Sequence, residues 1–316
     1  MNRHHILTTS IICLITICMP AYAQTTRSKT ASSYLERGNL RFAEAEYDQA
    51  LADYDLAIAS DPGHAEAYYN RGVLLLHRKE YVRALADLSR AIELNPRFTE
   101  AYVNRSYILY LQEDLDGVIS DSTKVIDLNP RLAAAWTNRA LARGGKGDLN
   151  GALADFDRAV KLQPRNAEIY NNRGVTRFRL RDFDGALSDH TRAIELRPHF
   201  AEAFSDRGPA RQMKGDLDGA IADYDQAIVL NSLLGTAWFN RATCRKLKGD
   251  FAQAETDFSK AIELKTAVAD AYANRGLVRL LLGNEREAEQ DFIKCLSFDK
   301  TLKESLERLI RETRGM

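Results

Sequence analysis

Two series of oppositely charged side chains recur along the chain at a fixed step of 34 residues. The arginines of the first series are Arg37, Arg71, Arg105, Arg139, Arg173, Arg207, Arg241 and Arg275. The aspartates of the second series are Asp53, Asp87, Asp121, Asp155, Asp189, Asp223, Asp257 and Asp291. A guanidinium at the edge of a buried helix face needs an acceptor, and a carboxylate supplies one. The constant spacing therefore predicts a repeated structural ion pair between two helices, and not a catalytic pair.

A third series carries amide side chains. If Ala65 is taken as position 1 of its repeat, position 6 is asparagine in six of the eight repeats. At about 100° per residue, positions 2, 6, 9 and 13 lie on the helix face opposite position 4. An asparagine in an exposed helix interior costs about 0.5 kcal/mol relative to alanine, so its recurrence indicates a use. A row of amides can donate to and accept from the backbone of an extended peptide.

The asparagine row predicts a candidate binding site. Contact with a ligand is expected to concentrate on the four consecutive residues Asn70, Asn104, Asn138 and Asn172. Asp206 and Pro209 interrupt the row, so Asn240 and Asn274 are expected to be secondary. Tyr69, Tyr107 and Phe178 are predicted to be aromatic anchors beside the row. The alternative is structural, with amides that bond to the adjacent helix and aromatic rings that pack between repeats.

The elements that hold these side chains follow from the period. Eight units tile residues 31–302 without an insertion: 31–64, 65–98, 99–132, 133–166, 167–200, 201–234, 235–268 and 269–302. Such a period is typical of a solenoid, in which each unit buries its apolar faces against its neighbours. Position 4 is always aromatic, which predicts a first helix whose buried face centres there. A turn, often Gly-Asp, leads to a second helix, and proline at position 32 ends that helix in five units.

The segments outside the repeats have their own signatures. Residues 1–23 combine a basic start, an apolar run and the sequence Ala21-Tyr22-Ala23, which predicts a secretory signal peptide cleaved after Ala23. An uncleaved membrane anchor is the weaker alternative, because about 20 apolar residues are needed to span a bilayer. Residues 24–30 are interpreted as a short linker. Residues 303–316 are interpreted as a C-terminal capping helix, preceded by a capping box of Thr301 and Glu304.

Two cysteines, Cys244 and Cys295, remain after the signal peptide. They lie on apolar faces of two helices that should not touch. We therefore expect two buried thiols, even in an oxidising compartment.

The repeated unit resembles the tetratricopeptide repeat family over residues 31–302. The fifth unit shows the family's small, aromatic and proline positions as Tyr170, Gly174, Ala186, Ala193 and Pro198. The resemblance implies an all-α, right-handed superhelical solenoid of antiparallel helix pairs, whose first helices line a concave groove. It also implies a binding role and no catalytic one. The family usually has tyrosine at position 11.

This chain departs from the family at position 11, where six units carry arginine. These residues are Arg41, Arg143, Arg177, Arg211, Arg245 and Arg279. Each lies one turn after the arginine at position 7, and the two like charges repel. More acid must lie nearby, although the sequence does not identify it.

Charge and motif content exclude several function classes. Lys plus Arg and Asp plus Glu both number 44, so no net charge attracts nucleic acid. The histidines show no metal-binding spacing, and no phosphate-binding glycine loop or nucleophile elbow occurs. No catalytic residue, cofactor or metal is therefore predicted.

The sequence thus predicts an exported scaffold, periplasmic or secreted in a bacterium, that binds a protein or peptide segment in its groove. No membrane span is expected after signal cleavage. The alternative function is a structural envelope protein that self-assembles through the solenoid ends or the convex face.

Overall fold

The computed structural model describes residues 26–315, so the predicted signal peptide lies outside the described residues. The helices are α1 (Thr26–Ala43), α2 (Tyr47–Ser60), α3 (Ala65–His77), α4 (Tyr81–Leu94), α5 (Thr99–Leu111), α6 (Leu115–Leu128), α7 (Ala133–Lys146), α8 (Leu149–Leu162), α9 (Ala167–Arg179), α10 (Phe183–Leu196), α11 (Ala201–Met213), α12 (Leu217–Leu230), α13 (Gly235–Lys248), α14 (Phe251–Glu263), α15 (Val268–Leu281), α16 (Glu285–Phe298) and α17 (Lys303–Arg314). No β-strand occurs between residues 26 and 315. None of the described helices is both long and apolar enough to cross a membrane.

The helices are distributed over two compact units. The N-terminal unit ends at Pro164 and holds α1 to α8, and the C-terminal unit begins at Arg165 and holds α9 to α17. Within each unit an odd-numbered helix packs against the even-numbered helix that follows, which in turn packs against the next odd-numbered helix. Short turns connect the partners, so they run antiparallel. The predicted all-α fold of tandem helix pairs is confirmed.

Small side chains let the paired helices approach closely. In the second repeat, Ala84, Leu88 and Ala91 of α4 are fully buried. A Cβ atom added at Gly72 of α3 would lie 3.1 Å from Leu88 Cγ. Position 8 is therefore restricted to small residues because the second helix occupies the adjacent space.

The buried face of the first helix differs from the sequence prediction. In α3, Ala67, Asn70 and Leu74 are buried, whereas Tyr68 at position 4 is only half-buried. The reason is that α3 contacts α1 and α5 as well as α2 and α4, so its buried arc is wide and is not centred on position 4. The prediction that position 4 marks the centre of the buried face is wrong.

Two of the three Gly-Asp turns cap the next helix as predicted, and the turn at Asp250 does not. Gly147 has a φ of +90°, in the left-handed region that favours glycine, and it ends α7. The side chain of Asp148 then accepts a hydrogen bond of 2.9 Å from Gly151 N in the first turn of α8. This capping satisfies one backbone N–H group that the helix itself leaves free.

The chain ends of the fold differ in detail from the prediction. α17 packs on α15 and buries Leu306. The expected capping box does not form, because the Asp299 carboxylate accepts from the backbone N–H and the hydroxyl of Thr301 at 2.8 and 2.6 Å. A 3-10 turn, Lys300–Leu302, results. At the other end, the predicted linker is helical from Thr26 onward.

The two thiols are buried and unbridged, as predicted. Burial raises the pKa of the Cys244 thiol to about 11, so it stays protonated at neutral pH. α11 passes through Pro209 as a single helix of 13 residues, the same length as α9.

Candidate functional site

The predicted arginine–aspartate pair is present in every repeat. Arg139 donates from Nε and Nη2 to the two carboxylate oxygens of Asp155, at 2.9 and 2.8 Å. Comparable pairing of the position-7 arginine with the position-23 aspartate occurs in the other seven repeats. The Arg139 guanidinium also lies over the position-4 ring, with Cζ 5.0 Å from the centroid of Trp136. The ion pair is therefore structural, as the spacing predicted.

The position-11 arginines bind the same aspartates. Arg143 Nη1 donates to Asp155 Oδ2 at 2.8 Å, and Arg41 Nη1 donates to Asp53 Oδ2 at 2.8 Å. The remaining four position-11 arginines lie within 3.4 Å of the aspartate of their own repeat. The acid that the position-11 arginines need is therefore the position-23 aspartate, whose carboxylate accepts from two guanidinium groups.

The pKa values of two of these aspartates shift in opposite directions. The hydrogen bond from Arg37 is the main cause that lowers the pKa of Asp53, to which Arg41 also contributes. In the third repeat, Leu109 replaces the second arginine. There burial raises the pKa of Asp121, although the hydrogen bond from Arg105 opposes the shift.

The position-7 arginines also reach the preceding repeat. Arg71 Nη1 donates to Asp55 at 2.6 Å, and Arg139 Nη1 donates to Thr123 at 3.1 Å. The same contact joins Arg105 to Ser89, Arg207 to Thr191, Arg241 to Asp225 and Arg275 to Ser259. Sequence reasoning missed this contact, although position 25 is Asp, Ser or Thr in the first seven repeats. These charges thus hold helices and repeats together.

The asparagines of the N-terminal unit are buried. The exposed fractions of Asn70, Asn104 and Asn138 are 1%, 0% and 1%. Asn70 Nδ2 donates to Asn39 Oδ1 at 2.8 Å, and Asn104 Nδ2 donates to the Tyr69 hydroxyl at 3.2 Å, in each case on the preceding first helix. The prediction that these amides are exposed is wrong, because neighbouring first helices cover position 6. The alternative, a bond to the adjacent helix, holds for Asn70 and Asn104.

The other predicted site residues vary in exposure. Asn172, in the C-terminal unit, is 7% exposed. Tyr69 is fully buried and its ring lies 4.6 Å from that of Phe98, so it is not an exposed anchor. Tyr107 and Phe178 are half-buried. Direct ligand contact through Asn172, Tyr107 and Phe178 stays a prediction.

Position 6 becomes accessible in the later repeats of the C-terminal unit. Asp206, Asn240 and Asn274 are half-buried on α11, α13 and α15, which contact one another in that order. Asn240 has no hydrogen bond or ion pair to any described residue. Asn274 Oδ1 accepts from Lys246 Nζ at 2.6 Å, and its Nδ2 donates to the Asp270 carbonyl at 2.9 Å. The asparagines that were expected to be secondary are therefore the accessible ones.

The residue at position 5 of the preceding repeat bonds to position 6 in some repeats and not in others. Tyr69 occupies that position before Asn104 and bonds to its amide. Asn171 occupies it before Asp206 and donates to Oδ2 of the carboxylate at 2.8 Å. Ser205 occupies it before Asn240, and this shorter side chain makes no hydrogen bond to the amide.

Asp206 is a carboxylate without a cation. Among the described residues its hydrogen-bond partner is Asn171, whose Oδ1 lies 2.8 Å from His190 Nδ1. Burial lowers the pKa of His190 to about 3, so the ring is neutral and donates this bond from Nδ1. Burial raises the pKa of Asp206 to about 6, and the nearby Glu202 carboxylate adds to the shift.

An apolar row follows the same three helices. Met213, Leu247 and Leu281, all at position 13, have exposed fractions of 53%, 58% and 36%. Positions 6 and 13 lie about two turns apart on the same side of a helix. We call the surface formed by positions 2, 6 and 13 of α11, α13 and α15 the open face. Aligned apolar side chains next to polar ones are typical of an interaction surface.

The fold and this site define a helical-repeat protein with structural ion pairs. No group of His, Cys, Asp and Glu side chains that could hold a metal ion occurs in the described part of the chain. Models of the tetratricopeptide repeat match residues 65–98, 176–232, 205–265 and 269–302, and a model described as TPR repeat matches 145–181. Together the matches cover more than half of the chain, which belongs to the tetratricopeptide repeat family. This fold supports a protein–protein interaction scaffold, and such repeats are generally not enzymatic.

Solved structures share the fold at low sequence identity. A tetratricopeptide repeat protein from Parabacteroides merdae is 15% identical with a TM-score of 0.62, over 79% of this chain and 99% of that one. The APC/C hetero-tetramer Cut9-Hcn1 is 15% identical with a TM-score of 0.65, over 92% and 57%. YrrB, described as a TPR protein with an unusual peptide-binding site, is 23% identical with a TM-score of 0.51, over 58% and 95%. No curated protein matches in sequence.

Proposed function

We propose that this chain is an exported interaction scaffold that binds a segment of a partner protein on the open face of its C-terminal unit. The observation that carries the proposal is the accessibility of Asp206, Asn240 and Asn274 on three successive first helices. The polar groups at this position in α3 and α5 are already bonded within the protein. YrrB, a protein of similar fold, is described as having a peptide-binding site.

The open face offers two kinds of contact. The Asn240 amide can donate to and accept from a peptide backbone, because no described residue satisfies it. First helices lie about 10 Å apart, which corresponds to about three extended residues of a bound segment. Three helices would therefore contact a segment of roughly seven to ten residues, and the exposed apolar row would contact its side chains.

The ion pairs favour binding by keeping the face rigid. Arg241 bonds Asp257 within its repeat and Asp225 in the preceding one, which fixes α13 relative to α12 and α14. A surface that is already ordered loses less entropy when it binds.

Selection of peptides from a random library of about 12-residue segments on the mature chain tests the proposal. Enriched peptides are expected to slow amide hydrogen exchange in α11, α13 and α15. Asn240→Ala should weaken their binding and leave helicity unchanged or slightly raised, because alanine is the better helix former. Absence of any enriched peptide, or protection confined to other helices, would contradict the proposed function.

A further inference from the structure

The open face carries negative charge that no described cation balances. Asp206 is half-buried and Glu202, one turn before it, is exposed, and neither forms an ion pair with a described residue. The position-23 aspartates, in contrast, all bind at least one arginine, as Asp223 binds Arg207. Removing a carboxylate from water without a cation is unfavourable.

The fold does not need this charge. Six other repeats have asparagine at the position of Asp206, and an amide oxygen could accept the same hydrogen bond from Asn171. A carboxylate here therefore lowers stability and leaves the helix pair otherwise unchanged, which is typical of a residue kept for function.

A second polar group nearby also lacks a partner. The hydroxyl of Tyr224 on α12 is fully buried and has no hydrogen-bond partner among the described residues. The equivalent Tyr54 in the first repeat donates to Asn39 at 3.0 Å. In the sixth repeat Pro209 occupies the position of Asn39 and offers no acceptor. The sixth repeat thus holds a buried hydroxyl without a partner where the first repeat holds a bonded one.

Three buried titratable groups on the helices that contact α11 are uncharged. His190 on α10 is neutral because burial lowers its pKa to about 3. Burial raises the pKa of Tyr224 on α12 and that of Cys244 on α13, the latter to about 11. None of these groups can supply a positive charge near neutral pH.

Two cations of α11 and α13 have other partners. Arg207 of α11 donates to Asp223 and Thr191. Lys246 of α13 donates to Asn274 on α15. Neither cation forms an ion pair with Asp206, so its carboxylate is open to a cation from outside the chain.

We infer that the open face selects a partner segment with Lys or Arg on one side and apolar residues on the other. The basic side chains would pair with Asp206 and Glu202, and the apolar ones would pack on Met213 and Leu247. The inference rests on the proposed function and specifies its ligand. An extended segment suits this arrangement, because its alternate side chains point in opposite directions.

The test compares peptides selected from the random library on the wild-type chain and on Asp206→Asn. The variant restores the residue found in six other repeats, so its fold should be retained. Wild type is expected to enrich Lys or Arg beside apolar residues, and the variant is expected to lose the basic preference. Asp127→Asn removes a charge from the exposed face of α6 and serves as the matched control.

Affinity measurements on one enriched peptide then locate the contacts. Asp206→Asn, or replacement of the peptide's basic residue by Gln, should weaken binding about tenfold, and the two changes together should add little more. Met213→Ser and Leu247→Ser should also weaken binding, whereas Val229→Ser, on exposed α12 surface, should not. Binding to wild type should weaken as the pH falls from about 7.5 to 5, while binding to Asp206→Asn should change little.

The outcomes separate the two claims. Enriched peptides without basic residues, or affinity insensitive to Asp206→Asn, would overturn the inference and leave the proposed function standing. A selection that yields no peptide would contradict the proposed function itself.

Discussion

At the scale of the residue, Asp206 links binding to stability. Burial raises its pKa to about 6, above the ordinary value of 3.8, so folding favours the protonated form. Its protonated state is therefore most stabilising below about pH 4, and that contribution is lost as the pH rises through 6. Asp206→Asn cannot ionise and should be more stable than wild type at about pH 7.5, by roughly 1–2 kcal/mol after allowance for partial exposure.

Urea unfolding of both proteins checks this expectation, and the difference should shrink toward zero near about pH 4. Equal stability of the two proteins at every pH would show that the carboxylate is well solvated.

A second residue-scale prediction concerns shared carboxylates. Asp155 accepts from Arg139 and Arg143, so Asp155→Ala would leave two guanidinium groups facing each other. A loss of about 2–4 kcal/mol in the free energy of unfolding is expected. Asp87→Ala should lower the free energy of unfolding by less, about 1–3 kcal/mol, because Arg71 still donates to Asp55 of the preceding repeat.

Chemical unfolding of the two variants at the same pH and salt ranks the two sites. An Asp155→Ala variant as stable as wild type would mean that these side chains are solvated in solution.

The charged pairs could be predicted from spacing alone, whereas the exposure of the asparagines could not. Asn104 and Asn240 occupy the same repeat position, yet the first is buried and the second is accessible. Exposure at position 6 depends on how the neighbouring first helices cover it, as α1 contacts α3 and Asn39 bonds to Asn70. A helical projection of a single repeat does not contain its neighbours.

At the scale of the element, the turns predict unequal capping. Asp216 accepts from Gly219 N at 2.8 Å and caps α12, whereas Asp250 makes no side-chain cap bond to α14. Asp216→Ala should therefore destabilise the C-terminal unit by about 0.5–2 kcal/mol, and Asp250→Ala by clearly less.

Hydrogen exchange in the first turn of α12 checks the local effect and thermal unfolding checks the global one. Equal losses in the two variants would show that the aspartates act through charge and not through the cap bond.

Element types were predictable from periodicity, but element ends were not. The helix pairs follow the 34-residue pattern, whereas α1 begins before the first repeat and a 3-10 turn replaces the capping box before α17. The Asp299 carboxylate accounts for the 3-10 turn, because it accepts the hydrogen bonds of Thr301, whose side chain then does not cap α17.

At the scale of the whole molecule, export is a sequence prediction that concerns residues outside the described range. N-terminal sequencing of the protein from the periplasm or medium is expected to give Gln24 as the first residue. An intact Met1 on a membrane-bound form would contradict both export and signal cleavage.

The oligomeric state of this exported protein distinguishes a binding scaffold from a structural protein that self-assembles. Light scattering after size exclusion is expected to give the mass of one chain. A concentration-dependent oligomer that persists in high salt would favour self-assembly through the solenoid ends or the convex face.

Site-specific photo-crosslinking in the native cell tests the central claim most directly. A photoreactive residue placed at Met213 or Leu247 of the open face is expected to crosslink to a partner protein, through a segment that carries Lys or Arg. The same residue at Val229 of α12 or Val82 of α4, which are both more exposed than Met213 and Leu247, should give no such product. Crosslinks that form only from Val229 and Val82, or only to a second copy of this chain, would contradict the account.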